Sequence, residues 1–134
     1  MPVDHVYMTL KSSTASNTGN AQSWMTTWDS YVVPEAGTVR AAYAVATALT
    51  SNSRLNQVDI FRQPSGVSAA SNSSASILTA PISLVGANAS VAGVIAASNQ
   101  RVAAGDILQL KTNEQGTVGG LITGLVASVL ILPD

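Results

Sequence analysis

The chain of 134 residues contains no cysteine. Disulfides, thiol catalysis and cysteine-based zinc sites are therefore excluded. Charge is almost as scarce. Asp, Glu, Lys and Arg make up 10% of the residues and leave a net charge of −1, where soluble domains usually carry about 25% charged residues. The few Lys and Arg are scattered, so the clustered basic stripe that a phosphate backbone demands is missing and nucleic acid is not an expected partner. The single histidine, His5, stands near the start of the chain, a poor place on which to build a Ser-His-Asp site.

The acids are isolated as well. Asp29, Glu35, Asp59, Asp106 and Glu114 each fall at an expected turn or strand edge. Glycoside hydrolysis needs two carboxylates at a set separation, and oxygen-ligand metal sites need several acids close together. No GxxxxGK[ST] or GxGxxG loop is present, and no repeat at a solenoid or propeller period. Neither an enzyme nor a bound cofactor or metal is expected. No charged region followed by an apolar one opens the sequence, so no signal peptide is expected. The acceptor-like triplets at Asn72 and Asn88 are then read as chance.

What the sequence does hold is 46% apolar residues, padded with Ser, Thr, Asn and Ala. The length fits one domain that buries roughly 68–70% of its unfolded surface. With so little charge, its surface must be clothed in small neutral residues or hidden against another chain.

Alternation with period two dominates. Val6, Met8 and Leu10 alternate with Tyr7, Thr9 and Lys11, and the Ser/Thr/Asn-rich run from Ser12 to Ser23 reads as a loop. Tyr31 to Val33 is extended because Val33 precedes Pro34, and Pro34 to Gly37 is a turn. Thr38 to Ala48 reads as a strand, with Val39, Ala41, Tyr43, Val45 and Thr47 on one face and Arg40 with four alanines on the other. Its alanines also suit a helix, but its β-branched residues do not. Shorter strands follow at Val58–Arg62, around Ile77–Leu84 with a break at Pro81, and at Val91–Ala97, where Gly93 marks a bulge or close approach. Gly105 and Asp106 form a tight turn into Ile107–Thr112. Such strands, each entered through Gly, Pro, Asn or Ser, argue for a β-sandwich or barrel.

The run from Thr117 to Leu132 has the apolarity of a membrane span and carries Gly120-x-x-x-Gly124, but it is shorter than the ~20 residues a spanning helix needs. Its Val and Ile suit a buried strand, and no membrane partner is expected. On that strand Leu121, Thr123, Leu125, Ala127, Val129 and Ile131 share one face; Ile122, Gly124, Val126, Ser128, Leu130 and Leu132 share the other. Both faces are apolar, so both must be covered. A sandwich covers one, and a partner chain would cover the other. Hiding roughly 800 Å² per subunit at ~25 cal/mol per Å² offers on the order of 10 kcal/mol before association costs.

The segments AGTVR, VDIFRQPSG, VAAGDILQLKT and GGLITGLVASVLILPD give the chain a resemblance to small jelly-roll proteins of tailed bacteriophage particles. These are the capsid decoration, or cement, proteins and related trimeric fibre-head domains. Pro34, Gly37, Val102, Gly105, Asp106, Leu108 and Leu110 match the pattern, over roughly Tyr31 to Pro133. C1q/TNF-like domains share the Gly-Asp entry and the terminal strand.

The resemblance implies a jelly-roll β-sandwich of about eight antiparallel strands at residues 31–134, with a less regular arm at residues 1–30. It implies a homotrimer made in the host cytoplasm that binds the major capsid protein on the outer surface of the virion and stabilises the shell. The face of Leu121, Thr123, Leu125, Ala127, Val129 and Ile131 is the expected subunit contact. Val3, His5, Tyr7, Trp24, Trp28 and Tyr31 are the expected contacts to the coat. Trp24, Trp28 and Tyr31 also suit a core anchor or a plug over the end of the sandwich, and, as a weaker option, a platform for a host glycan, which would make the chain a receptor-binding fibre tip.

Overall fold

The computed structural model describes residues 6–16, 27–49, 57–66, 75–112 and 121–134, with the backbone path alone at 6–16, 27–28, 112 and 121–122. The strands in chain order are β1 (Val6–Ser16), β2 (Thr27–Val32), β3 (Gly37–Val45), β4 (Ala48–Leu49), β5 (Gln57–Gln63) and β6 (Ala75–Ser76). They continue with β7 (Ile82–Ser83), β8 (Val91–Gly93), β9 (Arg101–Val102), β10 (Ile107–Thr112) and β11 (Leu121–Pro133). Among the described residues the helical structure is one 3-10 turn, Ala97–Asn99. No helix there is long and apolar enough to cross a membrane, and most of the apolar run at 117–132 is β11.

Two antiparallel sheets form a sandwich. One follows the order β1-β11-β3-β8, with β4 on β11 and β9 on β3; the other follows β2-β10-β5-β6, with β7 on β5. The pairs are nested: first strand with last, second with tenth, third with eighth, fifth with sixth and seventh. One long hairpin rolled on itself produces this nesting, which makes the fold a jelly roll, as expected. Rolling passes the chain back and forth between the sheets, as β1, β2, β3–β4, β5–β7, β8–β9, β10 and β11 in turn, so both sheets contribute to one core.

That core is aliphatic. Ile60, Leu108 and Leu110 from one sheet and Leu125, Ala127, Val129 and Ile131 from the other are almost fully buried. Ala42, Ala44 and Ala46 join them. Small residues in one sheet make room for branched ones in the other, the interlocking that close packing requires.

Three expectations need correction. The Ser-rich stretch after Lys11 is not all loop, because Ser12 to Ser16 continue β1 and pair with β11 as far as Ser16↔Leu121. Backbone hydrogen bonds to a neighbour hold a strand whatever the polarity of its side chains. The sandwich therefore reaches back to Val6, and a boundary at residue 30 cuts through it. In β3, Val39 is buried, but so are Ala42, Ala44 and Ala46, while Tyr43 is exposed. Ile131 pairs with Val39 and Leu130 with Ala41, so Arg40 is an extra residue. This bulge shifts the alternation by one and turns the alanine face inward.

The end of the sandwich near Pro34 is tied by Asp106, which is 2% exposed. Its Oδ2 accepts hydrogen bonds from Ala103 N at 2.8 Å and Arg62 Nη1 at 3.0 Å, and its Oδ1 accepts from Ser65 N at 3.1 Å. Its backbone joins in: Val33 N donates to Asp106 O and Gly105 N donates to Val33 O, both at 2.8 Å. Gly105 has φ of 89°, open to glycine and strained for other residues. The carboxylate thus fastens the turn after β9 to β5 and the turn that follows it, while the backbone of Gly105 and Asp106 holds the exit of β2. Replacing Asp106 by Ala leaves two backbone donors and a guanidinium without their acceptor. The expected cost is about 3 kcal/mol, read as a fall in the urea midpoint at unchanged slope. A change within about 0.5 kcal/mol, the range of ordinary surface substitutions, would remove Asp106 from this role.

Candidate functional site

The described residues contain no group of three His, Cys, Asp or Glu placed to hold a metal ion, and no pocket opens among them. The features with functional content are therefore the two outward faces of the sandwich.

The outer face of the β1-β11-β3-β8 sheet follows from register. Ala92, Tyr43 and Ser128 form one rung, with Thr9 of β1 next in line. Ala41 and Leu130 form the next, in line with Tyr7, and Val45 and Val126 form a third, in line with Lys11. Leu130 and Val126 are half-buried, while Ala92 is open to solvent. Tyr43 is 49% exposed, and Val94, two residues past Ala92, is 67% exposed. At the rim, Thr38 pairs with Leu132 and Arg101, and Arg101 grips Asp134 through two hydrogen bonds of 2.6 and 2.7 Å. Among the described side chains the centre of this face is apolar and its charge lies at the rim, the layout of an interface core.

The outer face of the other sheet is mixed: Val32, 61% exposed, pairs with half-buried Ile107, and polar side chains lie beside them. Gln109 Nε2 donates to Gln63 Oε1 at 3.1 Å, and Lys111 Nζ lies 5.0 Å from the centre of the Phe61 ring. Burial lowers the Lys111 pKa from its ordinary value. Asp59 accepts from Ile60 N and from Ser76 Oγ, both at its Oδ1. Its burial raises its pKa above the ordinary 3.8, against the downward pull of those two bonds.

The expected site residues are distributed unevenly. Leu125, Ala127, Val129 and Ile131 are turned into the chain's own core, which corrects their assignment to a subunit contact: a side chain with no exposed surface has none to offer a partner. Thr123 is exposed, and its carbonyl accepts from Thr47 N and Thr47 Oγ1. Leu121 pairs with Ser16. The surface left to a partner is the opposite face of the same strand, with Val126 and Leu130. Tyr43 was missed, because the bulge that exposes it leaves no mark in the periodicity. Of the expected coat contacts, Tyr7 lies on β1 opposite Leu130, Trp28 lies on β2, and Tyr31 packs half-buried against the core. β1 and β2 pack beside each other. Val3, His5 and Trp24 lie outside the described residues.

The fold and this surface define the class: a jelly-roll sandwich that presents an apolar sheet face. No family model matches the chain, and no curated protein matches it in sequence. Among solved structures, the chain is similar to a chain in the capsid of Ralstonia phage GP4. The TM-score is 0.62 at 15% identity, covering 98% of this chain and 85% of that one. At that identity the likeness is one of fold. A chain of the cyanophage Pam1 capsid asymmetric unit is matched at 13% identity over 96% of this chain and 86% of that one, with a TM-score of 0.37, too low to carry an argument.

Asp59 supplies a pH test of the mixed face. Because its folded pKa is raised, its contribution to stability is fully present below 3.8 and is lost as pH rises through the folded value. Asp59→Asn keeps one side-chain oxygen for both hydrogen bonds and removes the buried charge. The variant is expected to have a higher urea midpoint than the wild type at pH 7, with the gap closing as pH falls toward 3.8. A variant no more stable at pH 7 contradicts the reading.

Proposed function

We propose that this chain is a structural protein of a phage virion, a decoration subunit that binds the outer surface of the capsid as a trimer and stabilises the shell. The observation that carries this reading is the jelly roll itself, shared over nearly its whole length with a chain of the Ralstonia phage GP4 capsid. The apolar outer face and the scarcity of charge support it, since both suit a protein that works while covered by neighbours.

The mechanism is adhesion. A trimer offers three copies of its coat-binding surface on one rigid body. Once one copy is held, the others act at high effective concentration, so the combined hold exceeds the single contacts. Expansion of the shell must then break several interfaces together. Trp28 and Tyr31 lie on β2, which packs beside β1, and this edge of the sandwich is the proposed coat-binding side. A glycan-reading fibre tip is less well supported, because Tyr31, one of the aromatics it would use, packs against the core.

The test uses the full chain and empty shells assembled from the major coat protein encoded with it. The chain should co-sediment with the shells, saturate at three copies per bound site, and raise the temperature at which they rupture. Absence of co-sedimentation at micromolar concentrations contradicts the reading, and specific binding on a glycan array would favour the fibre tip instead.

A further inference from the structure

We propose that the outer face of the β1-β11-β3-β8 sheet is the subunit contact of this protein and that its occupant is a second copy of the same chain. This rests on the trimer of the proposed function and assigns it a surface.

Chemistry is the first ground. Ala41, Tyr43, Ala92, Val126 and Leu130 surround the uncharged Ser128 at the centre of the face, and the exposed Arg40 of the bulge stands beside Ala41 toward the Thr38 end. Permanent interfaces resemble a domain core cut in half, whereas transient ones are more polar. Tyr43, half-exposed in the middle rung, is the residue type that anchors such contacts.

Area is the second. β1, β11 and β3, about 4.8 Å apart with about seven residues at about 3.4 Å each, span about 14 by 24 Å, and the short β8 (Val91–Gly93) adds about 50 Å². That is on the order of 400 Å² in projection, and a pleated face exposes more. It supplies about half of the roughly 800 Å² per partner that a stable interface needs.

The third ground is availability. A coat surface is met only at the shell, but an apolar face needs cover as soon as the chain folds. Other copies are present from the start, and a net charge of −1 sets almost no repulsion between them. On the opposite face the Gln63–Gln109 pair is already buried and bonded within the chain.

Tyr43→Asp and Ala92→Arg place charges at exposed points of the face and so leave the core untouched. Ser30→Arg, exposed on β2, is the control on the other sheet. Circular dichroism and cooperative urea unfolding confirm that each variant is folded, and light scattering after gel filtration gives its mass. The wild type and Ser30→Arg are expected as trimers, with the two face variants as single chains and the assembly constant weakened at least a hundredfold. Face variants that stay trimeric overturn the proposal, and if they also lose shell binding, the face is the coat contact. A wild type that binds shells as a single chain overturns both the proposal and the trimer. A wild-type trimer separated by the face variants that never binds shells leaves the proposal standing and overturns the proposed function alone.

Discussion

A strand in the middle of a sheet with apolar residues on both sides must be covered twice. β11 is such a strand: β1 and β3 saturate its edges, and its inward residues Leu125, Ala127, Val129 and Ile131 seal the core. Among the described residues no second sheet lies above its outward Val126 and Leu130. Rolling the hairpin into a sandwich solves half of the problem, because a sandwich has one interior. The architecture, the low charge and the proposed assembly all follow from the other half.

The remainder of the molecule holds that strand in place. Asp106 ties the turn after β9 to the end of β5 through acceptor bonds from Ala103, Ser65 and Arg62, and its backbone carbonyl holds Val33. Farther along, Gly124 takes a φ of 62°, bending β11 between its pairings with β3 and β4. There Thr47 donates through both its backbone N and its Oγ1 to the carbonyl of Thr123. The polar chemistry of the chain is thus spent on turns and on the opposite sheet face. A frame built in this way presents a surface without moving, and adhesion asks nothing more of it.

Much of this was legible in the sequence. The alternation of β10 and β11, the Pro34 turn and the Gly105-Asp106 entry are local, because backbone geometry and a two-residue period dictate them. Three things were not. Periodicity divides β11 into two faces but does not say which is inside, and the inner face was taken for the contact. The Arg40 bulge depends on the register with Leu130 and Ile131, so the exposure of Tyr43 could not be read from β3 alone. Ser12 to Ser16 have the composition of a loop, and only the pairing offered by β11 makes them a strand. Asp106 was recognised as a turn former; its bond to Arg62, 44 residues away, is a product of the rolled topology.

The central claim is that the uncovered face of β11 and β3 is closed by sister copies. Sedimentation equilibrium of the wild-type chain at low micromolar concentration tests it most directly. The account predicts a single species with three times the mass of the 13.6 kDa chain. A stable, soluble species of one chain mass over the same range would contradict it.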